Sequence, residues 1–219
     1  MRRIRKQPEP TSLIQFKAKA NADWLPEWSN LSTDVKHELH AALMAEQGFI
    51  CCYCEMRIEV GSSHPEHIHP RSRNPVEKQL DYENLLASCG RESAERRDRS
   101  QPVVPRHCGI RKADWYDQSK FVSPLDDDCE ECFRYAADGQ IVLSTVRPIA
   151  AKQTIQRLAL DIDKLTAMRR AALDALLDPL PEPAEIPRLL VGFAQRNSSG
   201  QFSPFVSAIL YTLRSFGPA

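Results

Sequence analysis

Cysteine, carboxylate and imidazole side chains follow one another closely between positions 51 and 108 of the chain. Four cysteines have a spacing suited to metal ligands: Cys51, Cys54, Cys89 and Cys108. Glu66 and His67 lie between them as an adjacent acid and imidazole. Four thiolates can close a tetrahedral structural zinc site, whereas an acid beside an imidazole can hold a catalytic metal and make a nucleophile from water. This combination predicts a metal-dependent hydrolase of phosphodiester bonds.

The cysteine pattern favours zinc over disulfide bonds. Cys51 and Cys54 form a C-x-x-C pair, whose turn aims both sulfurs at one ion. No stretch approaches transmembrane length and no apolar signal core follows the basic start, so we expect a cytoplasmic protein with reduced thiols. Cys52 is expected to be buried and inert. Cys129 and Cys132 form a second C-x-x-C pair among acidic residues, without further partners, which favours free thiols.

The adjacent acid and imidazole fit the needs of phosphodiester hydrolysis. This reaction requires a base that takes a proton from water and a divalent cation that neutralises charge on the leaving oxygen. His67 suits the role of base because the pKa of histidine lies near the working pH. Glu66, on the opposite side of a strand end, could bind the cation. Asn84 could brace the loop or fix the imidazole through a side-chain hydrogen bond.

Short, irregular elements must position these residues, and the sequence predicts an α+β fold. Residues 66–69 are expected to form a short strand that ends at Pro70, and residues 84–88 a second strand or its lead-in. A helix is expected to begin at Cys108 and to run to Trp115. The resulting β–β–α core has little apolar mass, so a metal ion would be needed to hold it together.

We predict three segments along the chain. A helical N-terminal segment covers residues 1–47, and the metal-binding core with its structural zinc covers residues 48–125. A hairpin followed by helices covers residues 126–219, and we expect this segment to bind a partner. The core is therefore embedded in mostly helical N- and C-terminal segments.

The C-terminal segment carries several local signals. Asp138-Gly139 predicts a hairpin turn. An apolar stripe over residues 155–176, with Arg169 as its polar interruption, predicts one long amphipathic helix. Ser203-Pro204 predicts the start of a final helix. A stiff linker is indicated by three prolines: Pro181, Pro183 and Pro187.

The motifs resemble the HNH endonuclease family with a zinc-bound ββα-metal core. Those that carry the resemblance are Cys51-x-x-Cys54, Glu66-His67-Ile68-x-Pro70 and Asn84-Leu85. Their surroundings are similar to the PtuB branch, the HNH component of Septu and of certain retron anti-phage systems. The closer likeness lies in residues 48–54, 80–89 and 121–126 and in Cys108-Gly109-x-x-Lys112.

The resemblance implies a metal-dependent endonuclease that works with a PtuA-like ATPase of the ABC/SMC type and damages nucleic acid during phage infection. DNA is the favoured substrate, with transfer RNA or other RNA as alternatives. A retron reverse transcriptase and its msDNA are further candidate partners. The resemblance also implies a structural Zn²⁺, a catalytic Mg²⁺ or Mn²⁺ bound by Glu66, His67 as general base, and Asn84 as the middle asparagine.

One position departs from the family pattern. Many HNH enzymes carry histidine or asparagine directly after the last cysteine as the second metal ligand, whereas this chain has Gly109. We expect His107 to replace that ligand, with Asp114 as a close alternative. Other options are His64, His69 and water molecules, which magnesium commonly keeps.

The distribution of charge gives a mixed indication of nucleic-acid binding. The 29 basic residues balance the 29 acidic ones, so the net charge is zero, whereas nucleic-acid enzymes usually carry a basic excess. Basic residues nevertheless cluster around the core, where we predict phosphate contacts. The candidates are Arg71, Arg73, Arg91, Arg96, Arg97, Arg99, Arg111 and Lys112.

Two other functions compete with the nuclease. One is a zinc-stabilised nucleic-acid-binding or scaffold module without its own catalysis, in which Gly109 marks a decayed active site. The other is a redox or zinc sensor that uses Cys129 and Cys132. A second, weaker metal site at Glu66 would favour the nuclease, whereas an effect of cysteine alkylation on activity would favour the sensor.

Overall fold

Within residues 1–90 and 105–216, which the computed structural model describes, the chain folds into helices and two small antiparallel sheets. The α+β class is therefore confirmed. The helices are α1 Thr11–Lys17, α2 Thr33–Glu46, α3 Cys108–Lys112, α4 Pro148–Leu158, α5 Asp163–Leu177, α6 Ile186–Ala194 and α7 Val206–Ser215. The strands are β1 Ser63–His67, β2 Leu85–Cys89, β3 Phe133–Tyr135 and β4 Ile141–Leu143.

The first sheet is a β1–β2 hairpin that carries the acid and imidazole. Its antiparallel register pairs Glu66 with Leu86 and His67 with Leu85. Because successive side chains on a strand alternate between faces, Glu66 and His67 point to opposite sides. Both α2 and α3 pack on this hairpin, so a helix turn faces the polar side chains of β1.

β1 begins and ends earlier than the predicted strand over residues 66–69. The strand ends at His67 because Asn84 accepts the hydrogen bonds of the next two backbone N–H groups. The backbone N–H of Ile68 donates to the Asn84 carbonyl at 3.0 Å, and the N–H of His69 donates to the Asn84 side-chain oxygen at 2.7 Å. The predicted helix at Cys108 is present as α3, although it ends at Lys112.

The predicted hairpin at Asp138-Gly139 is confirmed by β3 and β4. The register pairs Phe133 with Leu143 and Tyr135 with Ile141. Gly139 has a φ of +85°, a left-handed conformation that favours glycine, and this closes the turn.

The prediction of one long helix over residues 155–176 is wrong. The chain breaks between α4 and α5, where Ala159 takes a left-handed φ of 51° and Leu160 inserts fully into the core. Arg169 stabilises this break, since its guanidinium donates to the carbonyls of Leu160 at 2.8 Å and Gly139 at 2.7 Å. The polar interruption of the apolar stripe is thus a buried anchor for the connecting turn.

The linker prediction is wrong beyond residue 185, because α6 begins there with Pro187 in its first turn. Proline is tolerated at this position since the N–H that it lacks has no partner within the helix. The final helix is present as α7, but it begins at Val206, two residues beyond Ser203-Pro204. Leu213, on the apolar face of this helix, is fully buried.

Of the three apolar clusters in the described residues, two contain most of the buried side chains. The larger joins α2, the β1–β2 hairpin, the four core cysteines and α4. The smaller joins α5, α6 and α7 through Leu173, Ile186 and Ile209. Among these helices, none combines the length and apolar character needed to cross a lipid bilayer. The division at residues 47 and 125 stays a prediction.

Candidate active site

The structure brings the four predicted zinc ligands together. The sulfurs of Cys51, Cys54, Cys89 and Cys108 all lie within 4.8 Å of one another and are buried. The turn after α2 supplies the first two, the end of β2 supplies the third, and the first residue of α3 supplies the fourth. We call these residues the cysteine cage.

The dimensions of the cage fit zinc. Tetrahedral zinc with bonds of about 2.3 Å to sulfur separates neighbouring sulfurs by roughly 3.8 Å. The sulfurs of Cys54 and Cys89 are 3.6 Å apart, and the rest fall within the same small volume. A buried set of four soft sulfur donors is typical of a structural zinc site.

The cage thiols differ in their tendency to ionise: Cys51 favours negative charge, whereas the pKa values of Cys89 and Cys108 lie well above the ordinary thiol value. Burial raises the pKa of Cys51, but hydrogen bonds from Cys108 and the other neighbouring thiols outweigh it and hold the pKa well below its usual range. The backbone N–H of Cys89 also donates to this sulfur at 3.3 Å. Cys52, expected to be buried and inert, is buried, and desolvation raises the pKa of its thiol.

Glu66 presents a fixed, ionised carboxylate. It is only 7% exposed, and its Oε1 accepts hydrogen bonds from the Tyr53 hydroxyl and the Lys112 ammonium, both at 3.0 Å. Its Oε2 lies 3.6 Å from Nε2 of His64. Burial raises the pKa of Glu66, but the hydrogen bond with His64 and the charge of Lys112 more than offset it, so the pKa lies below its ordinary value.

His67 lies on the other face of β1 with its ring held from two sides. Nε2 is 2.9 Å from the carbonyl oxygen of Gln79, and the edge of the ring meets Trp28 with centroids 4.7 Å apart. Because a carbonyl only accepts, Nε2 carries the hydrogen and the lone pair lies on Nδ1.

The expectation that the pKa of His67 lies near the working pH is wrong. The residue is 9% exposed, and this burial lowers the pKa to about 4. The imidazole is therefore neutral at neutral pH, with a lone pair available for a proton. The sequence also missed Trp28 as a contact of this ring, because a lone tryptophan in a helical pattern is usually a core residue.

Lys112 is wrong as a predicted phosphate contact. Its side chain is 1% exposed, and Nζ donates to the His67 carbonyl at 2.8 Å as well as to Glu66. Its position in the Cys108-Gly109-x-x-Lys112 motif was the available signal for a structural role. Arg71, Arg73 and Arg111 are exposed, as a phosphate contact requires. The other candidates lie outside the described residues: Arg91, Arg96, Arg97 and Arg99.

Asn84 braces the loop that follows β1. Its Oδ1 accepts from the His69 N–H at 2.7 Å, and its Nδ2 donates to the His69 carbonyl at 3.0 Å. Of the two roles that the sequence left open, loop bracing is the one that these hydrogen bonds perform. The loop in turn carries His67 at its beginning.

The predicted replacement ligands lie at the two ends of α3. His107 precedes the helix, with its Nδ1 3.0 Å from the Pro105 carbonyl, and Asp114 follows it as an exposed residue. Within residues 1–90 and 105–216, the polar contacts of the Glu66 carboxylate are with Tyr53, Lys112 and His64. His107 and Asp114 as ligands stay predictions.

Cys129 and Cys132 are both fully buried. Desolvation raises the pKa of Cys129 to about 12 and that of Cys132 to about 11. Reactive sensor cysteines need an accessible thiolate, and burial opposes it at both positions. The free-thiol interpretation therefore agrees with their surroundings better than the sensor does.

Comparisons with known proteins point to a nuclease class. No family model matches the chain. A protein of Vibrio cholerae serotype O1 biovar El Tor, named as a candidate HNH endonuclease of the retron Vc95, is 27% identical over 149 residues, which are 65% of this chain and 67% of that protein. This similarity supports the HNH endonuclease family, and the cysteine cage and β–β–α arrangement agree with it.

Proposed function

We propose that this chain is a metal-dependent HNH endonuclease that hydrolyses phosphodiester bonds in nucleic acid, with DNA as the favoured substrate. The observation that carries the proposal is the end of β1, where an ionised, buried carboxylate precedes a neutral imidazole whose Nε2 is held by a carbonyl. The cysteine cage, which suits Zn²⁺, would fix the hairpin and α3 around them.

Each residue has a task in this mechanism. A divalent cation, Mg²⁺ or Mn²⁺, would neutralise charge on the phosphate and the leaving oxygen when bound. Glu66 would hold it, since Tyr53 and Lys112 fix one oxygen of the carboxylate and leave the other for a ligand bond. His67 would take a proton from water at Nδ1, because its Nε2 is committed to Gln79. Asn84 keeps the following loop in place.

We further propose that the chain acts as the effector subunit of an anti-phage complex with a PtuA-like ATPase. The retron origin in the name of the Vibrio relative supports a defence setting. The net charge of zero supports a partner that contributes to substrate affinity, since phosphate contacts need a basic surface. A retron reverse transcriptase and its msDNA are further candidate partners of the same complex.

The test is a cleavage assay on plasmid DNA, labelled DNA and transfer RNA, with Mg²⁺ or Mn²⁺, with and without the neighbouring ATPase. We expect divalent-dependent cutting that His67→Ala abolishes while zinc content stays intact. His37→Ala is the matched control, because this histidine is exposed on α2 and should leave activity unchanged. Unchanged activity in His67→Ala would remove that residue as base.

A second candidate is a zinc-stabilised binding or scaffold module without catalysis. The burial of His67 beneath Trp28 favours it, because an occluded imidazole reaches water less readily. This function predicts nucleic-acid binding without divalent-dependent cutting in any combination of partner and metal. A gel-shift experiment run beside the cleavage assay separates the two functions.

A further inference from the structure

We infer that an arginine-lined cleft, apart from the candidate catalytic residues, binds the phosphate groups of a nucleoside triphosphate. The cleft has a volume of about 770 Å³, within the range of roughly 300–1,000 Å³ that is usual for small-molecule sites. Glu66, His67 and Asn84 are not among the described residues that line it, so the inference goes beyond the proposed function. We call it the arginine cleft after the arginines of its lining: Arg2, Arg3, Arg5, Arg134, Arg196 and Arg214.

These arginines come from separate parts of the chain. Three of them precede α1, Arg134 lies in β3, Arg196 follows α6, and Arg214 lies in the last turn of α7. They meet at one cleft only in the folded protein. The cluster is therefore a product of the tertiary structure and more than a local run of charge.

Most of the positive charges in the arginine cleft have no acidic partner. Arg3 pairs with Asp127, whereas the other five arginines form no ion pair within residues 1–90 and 105–216. A concave surface that is lined by one sign of charge concentrates ions of the other sign. An anionic ligand therefore fits this cleft.

Arg2 and Arg196 are held in place on the wall of the cleft. Their guanidinium carbons lie 4.2 Å and 5.1 Å from the centroid of the Phe202 ring, so the two charges are near neighbours. Arg196 donates to the carbonyls of Ala45 and Glu46 at the end of α2, at 3.0 Å and 2.6 Å. Arg2 donates to a carbonyl at the end of α6 at 3.2 Å. Each guanidinium has more N–H donors than these bonds use, and a ligand loses less affinity to side chains that are already ordered.

The remaining lining favours a nucleotide with several phosphates. Arg134 and Arg214 are exposed and have no hydrogen bond or ion pair among the described residues. The planar fork of a guanidinium matches phosphate oxygens with two parallel N–H bonds, so several forks around one space suit a polyphosphate better than a single carboxylate. The half-buried Tyr211 and the exposed Thr145 add an aromatic ring and a hydroxyl that suit a nucleoside.

The competing arrangement is a solvated cleft whose arginines interact only with nearby acids. Glu130 and Glu131 also line the cleft as exposed residues, and Oε1 of Glu130 accepts from the backbone N–H of Arg3 at 3.0 Å. The buried acids of the lining are occupied by other groups, as Glu46 is by Lys6. Nucleotide binding distinguishes the two arrangements, because a solvated cleft would bind phosphate no better than other exposed arginines do.

The experiment measures binding of adenosine triphosphate to the zinc-loaded full chain by calorimetry. Added divalent ions are left out, so that no metal can bridge the phosphates to Glu66. We expect one saturable site that binds adenosine monophosphate more weakly, since the monophosphate carries less charge. Arg134→Gln and Arg214→Gln should each weaken triphosphate binding about tenfold, because each removes a charged donor. Arg188→Gln is the matched control, since this exposed arginine lies on α6 outside the cleft.

The inference would be overturned by the absence of saturable binding, by equal affinity for monophosphate and triphosphate, by parent-like affinity in both cleft variants, or by an equal loss in Arg188→Gln. A 5′-phosphorylated DNA oligonucleotide is titrated in parallel. Binding of the oligonucleotide without binding of the triphosphate would also overturn the inference and assign the cleft to nucleic acid. Zinc content and melting temperature show whether each variant has folded. Since no readout involves cleavage, the result stands independently of the proposed function.

Discussion

Replacing Lys112 with methionine keeps most of the apolar stem but removes a buried positive charge from the Glu66 carboxylate. Both side chains are nearly inaccessible, at 1% and 8% exposure, so solvent cannot replace the lost partner. Removing one member of a buried ion pair typically costs about 3–5 kcal/mol, because the other charge stays uncompensated. For a chain of this size the melting temperature falls by about 2–4 °C per kcal/mol, so we expect a decrease of roughly 6–20 °C.

A double-mutant cycle isolates the charge. Glu66→Gln removes the carboxylate charge, so the double variant Glu66→Gln/Lys112→Met should be less destabilised than the sum of the single variants. Thermal unfolding of the zinc-loaded proteins, without other divalent ions, measures each corner of the cycle. Lys120→Met is the control, because its pair with Asp117 lies in solvent and should contribute little to stability. Additive effects, or a melting temperature of Lys112→Met equal to that of the control, would refute this reasoning.

Three further predictions follow from other parts of the structure. Cys108→Ser should abolish zinc binding by the cage and unfold the β1–β2 hairpin, because the binding of structural zinc stabilises the folded state by about 10–16 kcal/mol. Zinc content measures the first effect and amide exchange the second. Arg169→Leu should lower the free energy of unfolding by about 1–3 kcal/mol in denaturant titration, because it leaves the buried carbonyls of Leu160 and Gly139 without a donor. Burial lowers the pKa of His40 from 6.5 to about 4, so the folded state binds fewer protons than the unfolded state between these two values. The folded state therefore loses stability as the pH falls from 6.5 to about 4. His40→Gln should make the melting temperature less dependent on pH over that range, and an unchanged slope would contradict this.

Local signals predicted the parts of this molecule that local interactions determine. Asp138-Gly139 predicted its hairpin, because the turn depends on the few residues that connect the two strands. The break at Ala159 could not be predicted, since it is stabilised by Arg169 from the following helix. The low pKa of His67 was likewise hidden, because Trp28 and Gln79 reach it from distant parts of the chain.

The pairing of His64 with Glu66 was within reach of the sequence. Two residues that are two positions apart on a strand share a face, and glycine in place of a side chain at position 109 indicates that something else fills that space. The sequence analysis named His64 only as a further option, because the family pattern directed attention to the neighbours of Gly109 along the chain. What the sequence could not supply is the register that brings α3 over β1, because that depends on the cage.

Residues that are adjacent in sequence to the cage cysteines connect the cage with the surroundings of Glu66. Tyr53 precedes Cys54 and holds Oε1 of Glu66. Gly90 follows Cys89, and its carbonyl accepts a hydrogen bond from Nδ1 of His64. Gly109 follows Cys108, and its lack of a side chain leaves room for Oε2 of Glu66 and Nε2 of His64. Three of the four cage cysteines are therefore adjacent in sequence to a residue that lies against Glu66 or His64. An ion in the cage would fix the surroundings of Glu66 as well as stabilise the fold, because a shift of any of these three sulfurs moves a neighbour of Glu66 or His64 with it.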